Sequence, residues 1–300
     1  MTHTQNLSLD VPELRLSVFG STDIGLVRKK NEDAFAICPF DGRATLHSLS
    51  EPLQVEVQER GVLLAVSDGL GGEKAGEVAS ALALHCLRSS LSHAHSASVE
   101  QALTRSVEAA NREILAAGQA EERRGMGATL TAALIHGAHA YVAEVGDSRA
   151  YLLRGGRFLQ LTRDQSYAEL MVEAGMLRRD QINNFVYRNL VLQALGTRPE
   201  VQVGLTRVRL CEGDRLLLCS DGLSGQLSDE EMAHIIQRSG DVRWVCQALI
   251  DAAKSTGGPD NITVVVAIVE SGAGAPCTTD RISLETIHSP SLDSLSRRMG

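Results

Sequence analysis

The stretch Gly61-Val62-Leu63-Leu64-Ala65-Val66-Ser67-Asp68-Gly69-Leu70-Gly71-Gly72 holds an unbroken apolar run that stops at an acidic residue and then turns glycine-rich. A short continuous apolar run bounded by turn residues reads as a strand buried on both faces. The pattern recurs at Asp214 to Ser220, which runs into Asp221-Gly222-Leu223. Asp-Gly between strands is most often a hairpin turn. Here helical patterns follow both segments, so each Asp is left at the end of a buried strand. There its carboxylate and the carbonyl of the neighbouring glycine can face one ligand, because glycine lets the backbone approach closely.

Outward from these two segments, strands are expected at Leu14 to Thr22, at Asp33 to Cys38 as its continuation after a turn, and at Ala128 to Ile135, Ala140 to Val145, Ala150 to Arg154 and Arg157 to Leu161. Val201 to Arg209 and Asn261 to Val269 complete the strand set. Apolar residues at helical spacing mark Gly76 to Leu91, Ser98 to about Ala117, Tyr167 to Met176, a helix from Ser228, and Asp241 to Lys254. Ser98 with Gln101 and Ser228 with Glu231 match the capping-box pattern. Asp41 to Arg60 reads as a polar hairpin connection, and Leu177 to Arg188 as a polar segment without periodicity. From Ser271 the chain is Ser/Thr-rich, which predicts a mobile tail. The expected organisation is a flexible N-terminus (1–13), one domain (14–270) and a disordered tail (271–300). Strands in hairpins and helices in pairs give an α+β class with mainly antiparallel sheets covered by helices.

Composition removes several function classes. The chain has 300 residues, 43% of them hydrophobic, and a net charge of −8. That balance disfavours a nucleic-acid binder, which carries a basic footprint. No apolar run approaches the ~20 residues that span a bilayer, and Met1 to Asp10 lacks a signal-peptide pattern. Six cysteines form no CxxC pair, so reduced thiols and a cytoplasmic protein are expected.

Two more acidic segments complete the set. Asn31-Glu32-Asp33 follows Arg28, and Gly257-Gly258-Pro259-Asp260-Asn261 precedes the last strand. Each has an ordinary explanation on its own, a solvated charged turn for the first and routine loop chemistry for the second. Gly146-Asp147-Ser148-Arg149 is likewise a polar corner with a local Asp–Arg pair. Together, carboxylates at strand ends can converge on hard divalent cations, which prefer oxygen ligands. A planar guanidinium such as that of Arg28 binds two phosphate oxygens at once. The combination suggests a two-metal centre that attacks a phosphate ester. Rival chemistries lack their signatures: there is no HExxH among the nine histidines, no GxSxG elbow, no Walker loop and no EF-hand spacing.

From Val18 to Val269 the ordered motifs resemble the PPM-type, or protein phosphatase 2C-like, metal-dependent protein phosphatases in their compact bacterial form. The motifs are Gly25-Leu26-Val27-Arg28 with Asn31-Glu32-Asp33, Val66 to Gly72, Gly125-Met126-Gly127-Ala128-Thr129 and Val145 to Tyr151. Leu161-Thr162-Arg163-Asp164, Arg188-Asn189-Leu190 leading to Ala194-Leu195-Gly196, Ser220 to Leu223 and Asp260-Asn261-Ile262-Thr263 follow in order. The resemblance implies a four-layer α-β-β-α sandwich with two central antiparallel sheets flanked by helix pairs. It implies two Mn²⁺ or Mg²⁺ ions bridged by Asp68, with the Gly69 carbonyl, Asp221 and Asp260 on the first and Glu32 and Asp33 on the second. Asp147 with Asp221 matches a weaker third-metal position, Arg28 the phosphate-binding arginine, and Tyr167 to Leu192 the variable flap beside the site.

The activity so implied is hydrolysis of phosphoserine and phosphothreonine by direct attack of a metal-bridging water, without a covalent enzyme intermediate and in opposition to a bacterial Ser/Thr kinase. Expected partners are phosphoprotein substrates, a kinase or its targets, with no nucleic acid and no membrane, and the chain is expected as a monomer. The alternatives are a pseudophosphatase scaffold and a nonprotein phosphoesterase. Three positions depart from the family: Leu70 where animal members carry a histidine, Ala128 where many have a second threonine, and Gln165 where many have histidine.

Overall fold

Two antiparallel sheets stack face to face between helix layers in a computed structural model, which describes residues 14–41, 47–71, 75–94, 97–271 and 281–297. The chain opens with β1 (Arg15–Asp23), β2 (Asp33–Pro39), β3 (Leu53–Glu56) and β4 (Val62–Leu70), then α1 (Ala75–His93) and α2 (Val99–Ala117). Next come β5 (Gly127–Ala128), β6 (Leu130–His136), β7 (His139–Val145), β8 (Arg149–Arg154), β9 (Arg157–Gln160) and α3 (Tyr167–Glu173). The remainder is β10 (Gly204–Arg209), β11 (Arg215–Cys219), α4 (Asp221–Ser224), α5 (Asp229–Gln237), α6 (Val242–Ser255), β12 (Ile262–Ser271), β13 (Leu284–His288) and α7 (Leu292–Arg297). One sheet runs β3-β1-β12-β11-β8-β9, and the other β13-β10-β7-β6-β4-β2 with β5 attached to β4.

The apolar runs explain the layering. Along β4, Val62, Leu64 and Val66 face the second sheet while Leu63 and Ala65 face α1 and α2. Along β12, Val265 and Ala267 point between the sheets while Val264 and Val266 meet α4 to α6. Both faces of these strands are covered, so period-2 alternation disappears from the sequence. At ~1.5–3 kcal/mol for each fully buried Leu or Val side chain, this double coverage is the main stabilising term. The result is the expected α+β sandwich of four layers, α-β-β-α.

Several elements differ from the sequence expectation. β2 does not continue β1: β1 lies between β3 and β12, whereas β2 pairs with β4 in the other sheet. The turn carrying Arg28 to Asp33 therefore crosses between sheets at one end of the sandwich. The expected hairpin connection contains β3, whose buried Val55 pairs with Leu16 at a sheet edge. The expected strand Ala128 to Ile135 is split at Thr129, whose backbone N–H donates to Asp68 O (2.8 Å) while its Oγ1 accepts from Asp68 N (3.0 Å).

The largest correction concerns the tail. Residues 281–297 hold β13, which extends the sheet beyond β10, and α7, whose Leu292 and Leu295 are buried against Leu192, Tyr167 and Leu170. Every residue of β13 is exposed, so the strand left no apolar pattern to read. The N-terminal expectation (1–13) and the segment 272–280 lie outside the described residues. Of the described cysteines, Cys38, Cys86, Cys219 and Cys246 are reduced thiols as expected, whereas Cys211 is disulfide-bonded. Ser228 and Glu231 form the complete capping box, and Ser98 accepts from Gln101 N at 3.3 Å.

Candidate metal centre

Strand ends at one edge of the sandwich deliver the acidic residues. Asp33 starts β2 and stands opposite Asp68 near the end of β4. Asp221 opens the four-residue α4, with Ser220 between it and β11; Asn261 separates Asp260 from β12, and Asp147 sits between β7 and β8. Two glycines permit the crowding. A Cβ at Gly69 would lie 2.1 Å from the Gly76 carbonyl oxygen, and one at Gly222 would lie 1.9 Å from the Asn261 carbonyl oxygen. Neither position accepts a side chain without moving backbone, so Asp68 and Asp221 depend on the glycine that follows each.

Neutral side chains hold the acidic segments in place. Ser220 Oγ donates to Asp33 Oδ2 (2.7 Å) and accepts from Thr263 N (3.0 Å). Asn261 Oδ1 accepts from Glu32 N (2.8 Å), while its Nδ2 donates to the carbonyls of Ile24 and Lys30 (2.9 Å each). Ser80 Oγ donates to the Glu32 carbonyl (2.6 Å). The turn between β1 and β2 is thereby fastened to β12 and to α1.

Burial and mutual repulsion raise the affinity of these carboxylates for protons. Burial pushes Asp33 up to about 7, against hydroxyl hydrogen bonds from Ser220 and Thr263, with repulsion from Asp221 and Asp260 adding to the rise. Asp68 lies well above the ordinary range through burial and then the charges of Asp33, Asp221, Asp147 and Asp260. Burial followed by Asp221 does the same to Asp147, and burial followed by Asp260 raises Asp221. Glu32 is raised chiefly by burial, and Arg28 partly offsets this. One electrostatic cluster thus joins Asp33, Asp68, Asp147, Asp221 and Asp260, with Glu32 at its margin.

An uncompensated charge cluster of this kind is costly unless cations accompany it. The fit to a hard divalent cation rests on the donors. They are all oxygen, and Asp221 Oδ1 is buried with no hydrogen-bond partner. Among the described residues, no three His, Cys, Asp or Glu side chains close on one point as they stand. Arg28 Nη2 donates to Asp260 Oδ2 at 2.7 Å. Arg28 itself is half exposed at the rim, and that hydrogen bond raises its pKa.

A cavity of about 400 Å³ opens beside the cluster, lined by Asp147, Asp221 and Asp260 and also by Ile182, Arg188 and Asn189. The last three belong to the segment between Tyr167 and Leu190, whose base is closed by Tyr167 N donating to Leu190 O (2.8 Å) and Leu192 N to Gln165 O (2.7 Å). Gln165 has a definite task. Its Oε1 accepts from Gly146 N (2.8 Å) and Gln193 Nε2 (2.7 Å), which fixes the corner carrying Asp147.

The expected residues occupy one end of the molecule, with the backbone of Glu32 and Gly76 packed closely on the Cα of Gly69. Ser220, Asn261, Thr129 and Gln165 received no role from the sequence, although each stands within or beside a quoted motif. Their importance lies in which distant backbone they hold, and residue type alone does not state that.

Comparison with known proteins agrees with this arrangement. A family model described as Protein phosphatase 2C matches residues 52–255. The serine/threonine protein phosphatase PstP of Mycobacterium tuberculosis is 37% identical over 249 residues, which cover 83% of this chain and 44% of that relative, so the chain spans less than half its length. The serine/threonine phosphatase stp of Listeria innocua is 32% identical over 250 residues, 82% of this chain and 92% of that protein. A crystal structure of the PstP catalytic domain in complex with two manganese ions superposes with a TM-score of 0.71 at 36% identity, covering 86% of this chain and all of that one. With the order of its acidic segments, its paired sheets and these matches in agreement, the chain belongs to the protein phosphatase 2C family.

Proposed function

We propose that this protein is a metal-dependent phosphoprotein phosphatase that hydrolyses phosphoserine and phosphothreonine, opposing a Ser/Thr kinase in the cytoplasm. The observation that carries the proposal is the partnerless, buried Asp221 Oδ1 inside a cluster of carboxylates bordering a cavity with an arginine at its rim. Asp68, Asp221 and Asp260 with the Gly69 carbonyl would hold one cation, Asp68 with Glu32 and Asp33 a second, and Asp147 with Asp221 a weaker third. Mn²⁺ or Mg²⁺ bound there supplies Lewis acidity and lowers the pKa of coordinated water.

The chain's own groups do the rest. Arg28 sits where its guanidinium can exchange Asp260 for phosphoryl oxygens, binding substrate and offsetting charge that builds on them. Ser220 and Thr263 orient Asp33 and favour its ionised form. Leu70 offers no proton, so the leaving hydroxyl takes its proton from solvent in this reading. Among the described residues no helix is long and apolar enough to cross a membrane.

Hydrolysis of p-nitrophenyl phosphate by the purified protein, with and without Mn²⁺, tests the proposal. Turnover that needs the ion and is higher on phosphopeptides than on nucleotides is the expected outcome. Folded protein without ion-dependent turnover would establish the scaffold alternative, and preference for small esters the nonprotein phosphoesterase.

A further inference from the structure

The segment 167–190 lines the cavity together with the carboxylates, and it is lightly built. It contains the seven-residue α3 and a 3₁₀ turn at Arg179–Asn184, and Met176, Val186 and Tyr187 are exposed. Two sets of contacts tie its base to the C-terminal element. Leu292 and Leu295 of α7 are buried against Leu192, with Tyr167 and Leu170 packed on the same cluster. Arg163 joins the two sides: its Nη1 donates to Ser289 Oγ (3.0 Å) and Pro290 O (3.2 Å), and it forms an ion pair with Glu173 at the end of α3.

From Tyr167 the packing continues toward the cavity. Its ring stacks on Phe185 with centroids 6.0 Å apart and meets Tyr187 edge-on at 6.1 Å, while Phe185 and Tyr187 contact each other at 5.8 Å. Arg188 and Asn189, the next residues, line the cavity. A contiguous path of side chains therefore runs from α7, through Tyr167 and its two aromatic neighbours, to residues that line the cavity shared with Asp147, Asp221 and Asp260.

We propose that α7 is a positioning element: Leu292 and Leu295, with Arg163, set where the 167–190 wall stands over the cavity and so govern binding of a phosphopeptide main chain. This rests on the cavity being the phosphoester site. A small ester needs only the carboxylate part of the lining, whereas a peptide main chain extends along residues of 167–190 as well. Loosening that wall should raise KM for peptides and spare the chemical step.

The test uses the full chain with Mn²⁺, the double variant Leu292→Asp/Leu295→Asp, and Arg163→Gln as a milder variant that leaves the apolar cluster intact. Hydrogen exchange within 167–190 should rise at least about 5-fold in the double variant while β4 and β12 stay protected. KM for a phosphopeptide should rise about 5-fold or more, with kcat and the p-nitrophenyl phosphate parameters within about 2-fold of the parent. Arg163→Gln should move both readouts the same way by less, and Leu292→Met/Leu295→Met should restore them. Unchanged exchange in 167–190, or equal losses on both substrates with the fold intact, would overturn the proposal. Should the parent protein lack ion-dependent turnover, the phosphatase reading fails while the exchange measurement still decides whether α7 holds the wall.

Discussion

Two places in this molecule gather acidic residues at similar density. Asp229, Glu230 and Glu231 form the first turn of α5, and Asp33, Asp68, Asp147, Asp221 and Asp260 meet at the end of the sandwich. At α5 the charges face water and a helix N-terminus, where backbone N–H groups welcome them. Glu231 Oε2 accepts from Ser228 N (2.8 Å), and its pKa is lowered by that bond first and by the Ser228 hydroxyl second. At the sandwich end burial and neighbours raise every carboxylate of the cluster whose shift is resolved, and Asp221 Oδ1 has no donor. Acidic density alone therefore says little about function. Burial of acidic groups without donors is what leaves binding capacity for a cation.

Asp221→Asn breaks the comparison most forcefully. Neutralising one carboxylate should cut ion-dependent turnover by at least about 100-fold, since the cation and the water it activates are both weakened. The same change should raise the melting temperature in EDTA at pH 8, because a repelled, buried charge has gone. Loss of activity with a gain in ion-free stability marks a binding site. A parallel loss of both would mark Asp221 as structural.

How much of this was legible depended on whether neighbours in sequence were neighbours in space. Asp68 and Asp221 could be read because each ends an apolar strand and precedes glycine within six residues. The ligand set itself came from the resemblance, since no local pattern says that Asp33 stands opposite Asp68 across a strand pair. The turn from β1 to β2 was misread for the same reason: two apolar runs joined by a polar turn do not reveal that they enter different sheets. The C-terminal elements were hidden more completely. β13 is exposed along its length, and α7 buries only Leu292 and Leu295, a pair too short to register as a helical pattern.

Glu144 sharpens the comparison at a smaller scale. It lies three residues before Asp147, with Oε1 accepting from Arg163 N (3.0 Å) and Oε2 buried without a partner. Burial pushes it up to about 8. The sign follows directly. Between the unfolded value of ~4.5 and the folded value the unfolded chain ionises while the native side chain stays protonated, so stability falls as pH rises through this window and the penalty is complete above about 8. Glu144→Gln should remove that slope, leaving the variant more stable than the parent at pH 9 by an amount on the order of a few kcal/mol. Denaturant midpoints at pH 6 and pH 9 measure it, and equal slopes for variant and parent would exclude the assignment.

The smallest effect should come from the satisfied end of the comparison. Ser228→Ala deletes the hydroxyl that accepts from Glu231 N (3.3 Å) and should cost ~1 kcal/mol with turnover unchanged, since α5 contributes no residue to the cavity wall. Its pH dependence must run opposite to that of Glu144. The Glu231 carboxyl is held below its ordinary value, so the bonds it accepts from Ser228 contribute above the carboxylate range and are lost as pH falls through the lowered value. The gap between parent and Ser228→Ala should thus narrow as pH falls through the carboxylate range, because the hydroxyl's bond to the Glu231 carboxylate is lost, whereas parent and Glu144→Gln should diverge as pH rises towards about 8. One side chain chemistry, buried with one oxygen left without a donor in one place and bonded at a helix start in the other, then gives two pH dependences of opposite sign.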